Sequence, residues 1–105
     1  MPEKILIVDD EEIIRDSLTF ILRKEGYGVE EALNGAQALE KVIRTPCDIV
    51  STDIEMPEMR GTVLLEKIAL CSPQTFVVII TAYGSIETAI EALRKGAYDY
   101  ILKPI

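Results

Sequence analysis

Five short strand-like runs, three of them rich in β-branched residues, alternate along the chain with four segments of helical period, and this alternation restricts the possible folds more than any other feature. The runs are Ile5–Val8, Tyr27–Ala32, Ile49–Thr52, Phe76–Thr81 and Tyr98–Leu102. Between the first two, a helix is predicted over Ile13–Lys24, with Ile14, Leu18, Ile21 and Leu22 on its inner face and Gly26 placed to end it. Asn34 is positioned to cap a second helix that buries Ala38, Leu39, Val42 and Ile43 and stops at Pro46. A third helix is expected over Thr62–Leu70, with Val63, Leu64 and Ile68 inward. Ser85 caps a fourth over Ile86–Lys95, which Gly96 closes, with Glu87 in the favourable first turn.

Strands joined by helical crossovers pair in parallel, and the right-handed crossover rule gives an open sheet with helices on both faces. Five strands suit the flavodoxin-like doubly wound α/β order 2-1-3-4-5, in which strand one lies beside strand three where the winding reverses. Ligands of such sheets bind at the carboxyl ends of the strands at that switch point. Those ends carry Asp9 and Asp10 after strand one, Asp53 after strand three, Thr81 closing strand four and Lys103 after strand five. Any one acid there could serve only to start a turn. Their coincidence on one sheet edge, with a hydroxyl and an ammonium, is the pattern of a reactive site. Glu11 and Glu12 read as first-turn charges that complement a helix N-terminus.

Carboxylates so placed repel by roughly 4 kcal/mol per pair at 4 Å in a medium of effective dielectric 20, so a cation belongs among them. Lys103 supplies one. A hard divalent ion, Mg²⁺ or Mn²⁺, suits the remaining oxygen donors, and no histidine or cysteine is present at these strand ends to favour zinc. Carboxylate, hydroxyl, lysine and Mg²⁺ together form a set suited to phosphoryl transfer onto an aspartate.

The other properties of the chain narrow its class. At 105 residues and 49% hydrophobic, it fits one domain with one core. Its longest apolar run, Phe76–Ile80, is far too short to span a bilayer, and no signal-peptide pattern precedes the first strand, so a cytoplasmic domain without membrane contact is expected. A net charge of −7 disfavours direct nucleic-acid binding. Cys47 and Cys71 lack metal or redox spacing and read as buried or half-buried free thiols.

Four motifs, IVDDE (Ile7–Glu11), DIEMPEMRG (Asp53–Gly61), TAYG (Thr81–Gly84) and DYILKP (Asp99–Pro104), give the whole chain a resemblance to the receiver domain of two-component response regulators. The resemblance implies that Asp53 is the phosphoacceptor, taking its phosphoryl group from a histidine of a partner sensor kinase. It implies that Asp10 ligates Mg²⁺ directly and Asp9 mainly through water, with Asp53 and the backbone carbonyl of Glu55 completing the set. Lys103 pairs with Asp53 and later with a phosphoryl oxygen, preceding a cis peptide to Pro104. Thr81 and the backbone N–H of Ala82 donate to the phosphoryl group, and Thr81 with Tyr100 forms the switch that alters the surface of helix four and strand five. Glu55 and Tyr83 occupy positions that tune phosphoryl lifetime. The domain is not a conventional enzyme: it catalyses only its own phosphorylation and dephosphorylation.

GAYDYILKP (Gly96–Pro104) is also similar to receivers attached to ATPase-type transcription activators. The chain stops after strand five, where the winding calls for a final helix, so a receiver over residues 1–105 truncated before that helix and before an output domain is expected. Self-association or segment exchange through the uncovered face follows as an expectation. Two rival classes are a pseudo-receiver interaction module, which usually lacks an acid or the lysine, and a haloacid-dehalogenase-like phosphatase, whose nucleophile follows strand one with a second Asp two residues on. Here Glu11 takes that second place. A nucleotide or flavin binder is disfavoured because no Gly-rich phosphate loop follows strand one.

Overall fold

The computed structural model describes residues 3–82 and 84–103. Its elements in chain order are β1 (Lys4–Val8), α1 (Glu12–Lys24), β2 (Gly28–Ala32), α2 (Gly35–Arg44), β3 (Ile49–Thr52), α3 (Gly61–Cys71), β4 (Phe76–Thr81), α4 (Ile86–Arg94) and β5 (Asp99–Leu102). All pairings are parallel and the sheet runs β2-β1-β3-β4-β5, the predicted doubly wound order. Element ends differ from the sequence reading by one residue in most cases, as is usual for helix and strand boundaries.

The strands at the centre are apolar on both faces because both are covered. Leu6, Val8, Val50, Val77 and Ile79 face a large core completed by Ala38, Val42, Leu64, Leu65, Ile68 and Ala92 of α2, α3 and α4. The opposite face is smaller: Ile5, Ile7 and Val29 pack against Leu18 and Leu22 of α1 with Ile49 at the margin. Beyond α1 on that side, Ile49, Ser51, Val78 and Ile80 line a shallow apolar groove of about 300 Å³ with no helix over it among the described residues.

Three helices turn out differently from their predicted inner faces. Ile21 is 56% exposed, Ile43 64% and Val63 39%. The inward residues recur at i, i+3, i+4 and i+7 in each case: Arg15, Leu18, Thr19 and Leu22 in α1; Gly35, Ala38, Leu39 and Val42 in α2; Gly61, Leu64, Leu65 and Ile68 in α3. The apolar residues assigned inward in error are the ones just off that stripe, and in α1 two polar residues fill the stripe instead, which obscures the period.

Helix starts follow local chemistry. Asn34 Oδ1 accepts the Gln37 N–H at 2.8 Å, and Ser85 forms a reciprocal capping box with Thr88. α1 and α3 have no side-chain cap. α3 instead begins with its first residue pressed against the end of β3: a Cβ on Gly61 would lie 2.0 Å from the Asp53 carbonyl oxygen, so only glycine permits this approach.

Of the two thiols, Cys47 is half-buried but Cys71 is exposed, contrary to the sequence expectation. Burial, reinforced by the nearby carboxylates of Glu30 and Asp48, pushes the Cys47 thiol from 9.0 up to about 11. The unfolded thiol ionises first as pH rises, so this contribution is complete below pH 9.0 and disappears as pH passes about 11. Urea midpoints measured at pH 8 and pH 11 should therefore fall further for the wild type than for Cys47→Ala, and iodoacetamide should modify Cys71 well before Cys47. Thr19 Oγ1 is buried without a hydrogen-bond partner. Thr19→Val should raise unfolding free energy by about 1 kcal/mol in urea titration, because it removes an unmet hydroxyl at constant shape.

Candidate functional site

β1 and β3 are neighbours with Val8 opposite Thr52, so the residues that follow them leave the sheet side by side. Asp53 donates its N–H to the Val8 carbonyl at 3.3 Å, which keeps the two chain ends together for one residue beyond the ladder. Asp9 and Asp53 thus enter the site from rigid strands, and both are almost completely buried.

Lys103 Nζ lies 2.9 Å from Asp9 Oδ2 and 2.9 Å from Asp53 Oδ2, with Glu11 Oε1 at 4.0 Å. Its side chain is only 8% exposed. It reaches this place because its backbone N–H continues the β4–β5 ladder, donating to Thr81 O at 2.8 Å. Burial disfavours the ammonium, but the hydrogen bonds to Asp9 and Asp53 outweigh it and raise the lysine above its ordinary value of 10.5. The second carboxylate oxygens are held by backbone: Asp9 Oδ1 accepts the Glu11 N–H at 2.9 Å and Asp53 Oδ1 the Glu55 N–H at 3.2 Å.

Carboxylate oxygens of Asp9, Glu11 and Asp53 all lie within 4.8 Å of one another. Oxygen donors alone, at a spread close to twice a Mg–O bond of about 2.1 Å, fit a hard divalent cation with bound waters and offer nothing to a soft one. An open cleft of about 360 Å³ beside them is lined by Asp10, Glu11, Asp53 and Glu55. The Glu55 carboxylate is paired with Arg60 at 3.2 Å. Thr81 is fully buried at the end of β4 and Ala82 is exposed next to it. Tyr100 is half-buried against the main core, and its hydroxyl lies 2.9 Å from Thr88 Oγ1 in α4. A Cβ on Gly84 would lie 2.9 Å from that hydroxyl and 2.7 Å from Leu102 Cδ1, so the bare glycine is what admits the ring.

The family profile described as the response regulator receiver domain matches residues 5–105. The chain belongs to this family. "Transcriptional regulatory protein ZraR" of Klebsiella oxytoca is 48% identical over 101 residues, covering 96% of this chain and 23% of that protein. The chain thus spans about a quarter of the length of the curated relatives it matches. Among solved structures, a CheY-like response regulator receiver domain protein from Methanospirillum hungatei JF-1 superposes with a TM-score of 0.96 at 39% identity, over 100% of this chain and 84% of that one. A CheX–CheY–BeF3–Mg²⁺ complex from Borrelia burgdorferi gives 0.93 at 34% identity, over 100% and 81%.

Receiver domains bind Mg²⁺ at an acidic cluster, and this receiver carries one. Of the residues read from the sequence, Asp9, Asp53 and Lys103 are brought into contact, while Asp10 lines the cleft outside the three-acid group. Glu11 is the residue the sequence reading left aside. Its position two beyond Asp9, where its N–H meets the Asp9 carboxylate, was the available signal. Tyr83 and the peptide joining Lys103 to Pro104 lie outside the described residues.

Replacing Lys103 by Met leaves Asp9 and Asp53 buried together without their cation. Metal-free urea denaturation should show a loss of about 3 kcal/mol, and millimolar Mg²⁺ should restore more stability to this variant than to the wild type.

Proposed function

We propose that this receiver accepts a phosphoryl group on Asp53 from the phosphohistidine of a partner sensor kinase, or from a small acyl phosphate. The observation that carries the proposal is the Asp9–Lys103–Asp53 bridge at the switch point of the sheet. An Asp53 oxygen attacks phosphorus in line, the bond to the donor nitrogen or acyl oxygen breaks, and the leaving group departs with its electron pair. These 105 residues contain no histidine, so the donor group lies outside them.

The cation site is assigned to Asp9, Asp10, Asp53 and the Glu55 carbonyl, with Glu11 at its edge. Mg²⁺, or Mn²⁺, bound there supplies neutralisation of the charge on the phosphoryl oxygens. Lys103, already bridging two carboxylates, follows the negative charge onto a phosphoryl oxygen. Thr81 and the Ala82 N–H donate to the same group from the end of β4. Tyr100 moves with Thr81, and the α4–β5 surface, where Ile86, Ile90, Leu93 and Leu102 are exposed, changes its preference for a partner. That the four are apolar supports a protein contact at this face.

The domain acts on no substrate but itself, in the cytoplasm, and serves as the 1–105 receiver module of a transcription regulator of the ATPase-type class, passing its state to an output domain. Self-association accompanies this role, and sedimentation with and without phosphoryl donor reads it. Among the described residues no helix is long and apolar enough to cross a membrane.

Intact-protein mass after incubation with acetyl phosphate and Mg²⁺ should show a single phosphoryl adduct. Asp53→Asn and an EDTA-treated sample should show none. A stoichiometric adduct persisting in folded Asp53→Asn would overturn the assignment of the acceptor.

A further inference from the structure

All four polar positions of Asp9 are engaged. Its N–H donates to Ala32 O at 3.3 Å, and its two carboxylate oxygens take the Glu11 N–H and Lys103. The fourth contact is of another kind: Arg15 Nη1 donates to the Asp9 backbone carbonyl at 2.8 Å from inside the protein. Arg15 is 9% exposed and occupies a position on the inward stripe of α1 that the amphipathic pattern reserves for an apolar side chain. Its Nε lies 3.4 Å from Glu31 Oε1 at the end of β2, and the Glu31 carbonyl is in turn held by Lys41 Nζ at 2.8 Å.

A buried guanidinium is costly unless it is paired and hydrogen-bonded. Here its two partners are the β2 carboxylate and the turn that carries the acids. That turn needs an anchor, because Glu11, the N-cap residue of α1, makes no side-chain capping hydrogen bond. The carboxylate contacts of Asp9 cannot serve as a permanent anchor, since a bound cation draws on the same oxygens. The carbonyl contact with Arg15 leaves them free.

We propose that Arg15 is a positioning residue for the cation site. Its guanidinium, oriented by Glu31, clamps the Asp9 carbonyl and so aims the Asp9–Asp10–Glu11 turn before the metal arrives. Neutralised by Glu31, it adds little net charge that would repel a divalent ion. The proposal rests on the Mg²⁺-dependent acceptor reading above.

Calorimetric titration with Mg²⁺ tests it directly. Arg15→Met, which preserves length without donors, should weaken Mg²⁺ binding about tenfold. Arg15→Lys, which keeps one donor and the charge, should stay within about threefold of wild type, and Glu31→Gln should fall between them. In acetyl phosphate reactions the Mg²⁺ concentration for half-maximal adduct formation should rise with the dissociation constant, while the rate at saturating Mg²⁺ stays at the wild-type value. Unchanged Mg²⁺ affinity in folded Arg15→Met overturns the proposal, as does a rate depressed equally at all Mg²⁺ concentrations. Should Arg15→Met not fold, Glu31→Gln decides: unchanged affinity there overturns it. A wild-type protein that neither binds Mg²⁺ nor forms the adduct overturns the acceptor reading itself, a different result from a wild type that does both beside an indifferent Arg15 variant.

Discussion

Two buried carboxylates sharing one ammonium is the interaction around which this domain is arranged. Asp9 and Asp53 are each expensive to hide from water, and placing them side by side adds mutual repulsion. Lys103 makes the pair tolerable, but it can do so only if β5 lies beyond β4 and β4 beyond β3, so that a residue 50 positions away in sequence arrives at the end of β3. The doubly wound topology is thus what converts three scattered strand ends into one electrostatic unit. One lysine against several acids leaves a negative excess at the cleft.

Rigidity at the site comes from the backbone rather than from the charged groups themselves. The Val8 carbonyl holds the Asp53 amide, the Glu11 and Glu55 amides hold one oxygen of each buried carboxylate, and Gly61 brings the start of α3 onto the Asp53 carbonyl. The charged atoms face the cleft, while their supports are held by backbone hydrogen bonds. A phosphoryl group is a suitable visitor, since its recognition depends on placing charges rather than on breaking bonds in the protein.

Much of this was legible in the sequence because strand ends in a parallel sheet obey a simple rule. Asp9, Asp53, Thr81 and Lys103 sit one residue before or after a β boundary, and the order 2-1-3-4-5 brings those boundaries together regardless of side-chain detail. The helices were less legible. Ile21, Ile43 and Val63 are as apolar as their buried neighbours, and only the packing stripe separates them. Arg15 and Thr19 ran against the pattern outright: Arg15 is held by Glu31 and the Asp9 carbonyl, partners that one-dimensional spacing cannot display, and the Thr19 hydroxyl is buried without a hydrogen-bond partner. Glu11 escaped for a related reason: its helix-capping position gave it an adequate local explanation, and its approach to Lys103 depends on a strand far away in sequence.

The hydroxyl of Thr88 is shared between two structures. It closes the capping box with Ser85 and also touches the Tyr100 hydroxyl across the gap that Gly84 leaves open. Tyr100 thus touches the residue that fastens the first turn of α4. The reciprocal bonds between Ser85 and Thr88 do not pass through Tyr100, so the fastening of the helix and the seating of the ring meet at one hydroxyl without either depending on the other.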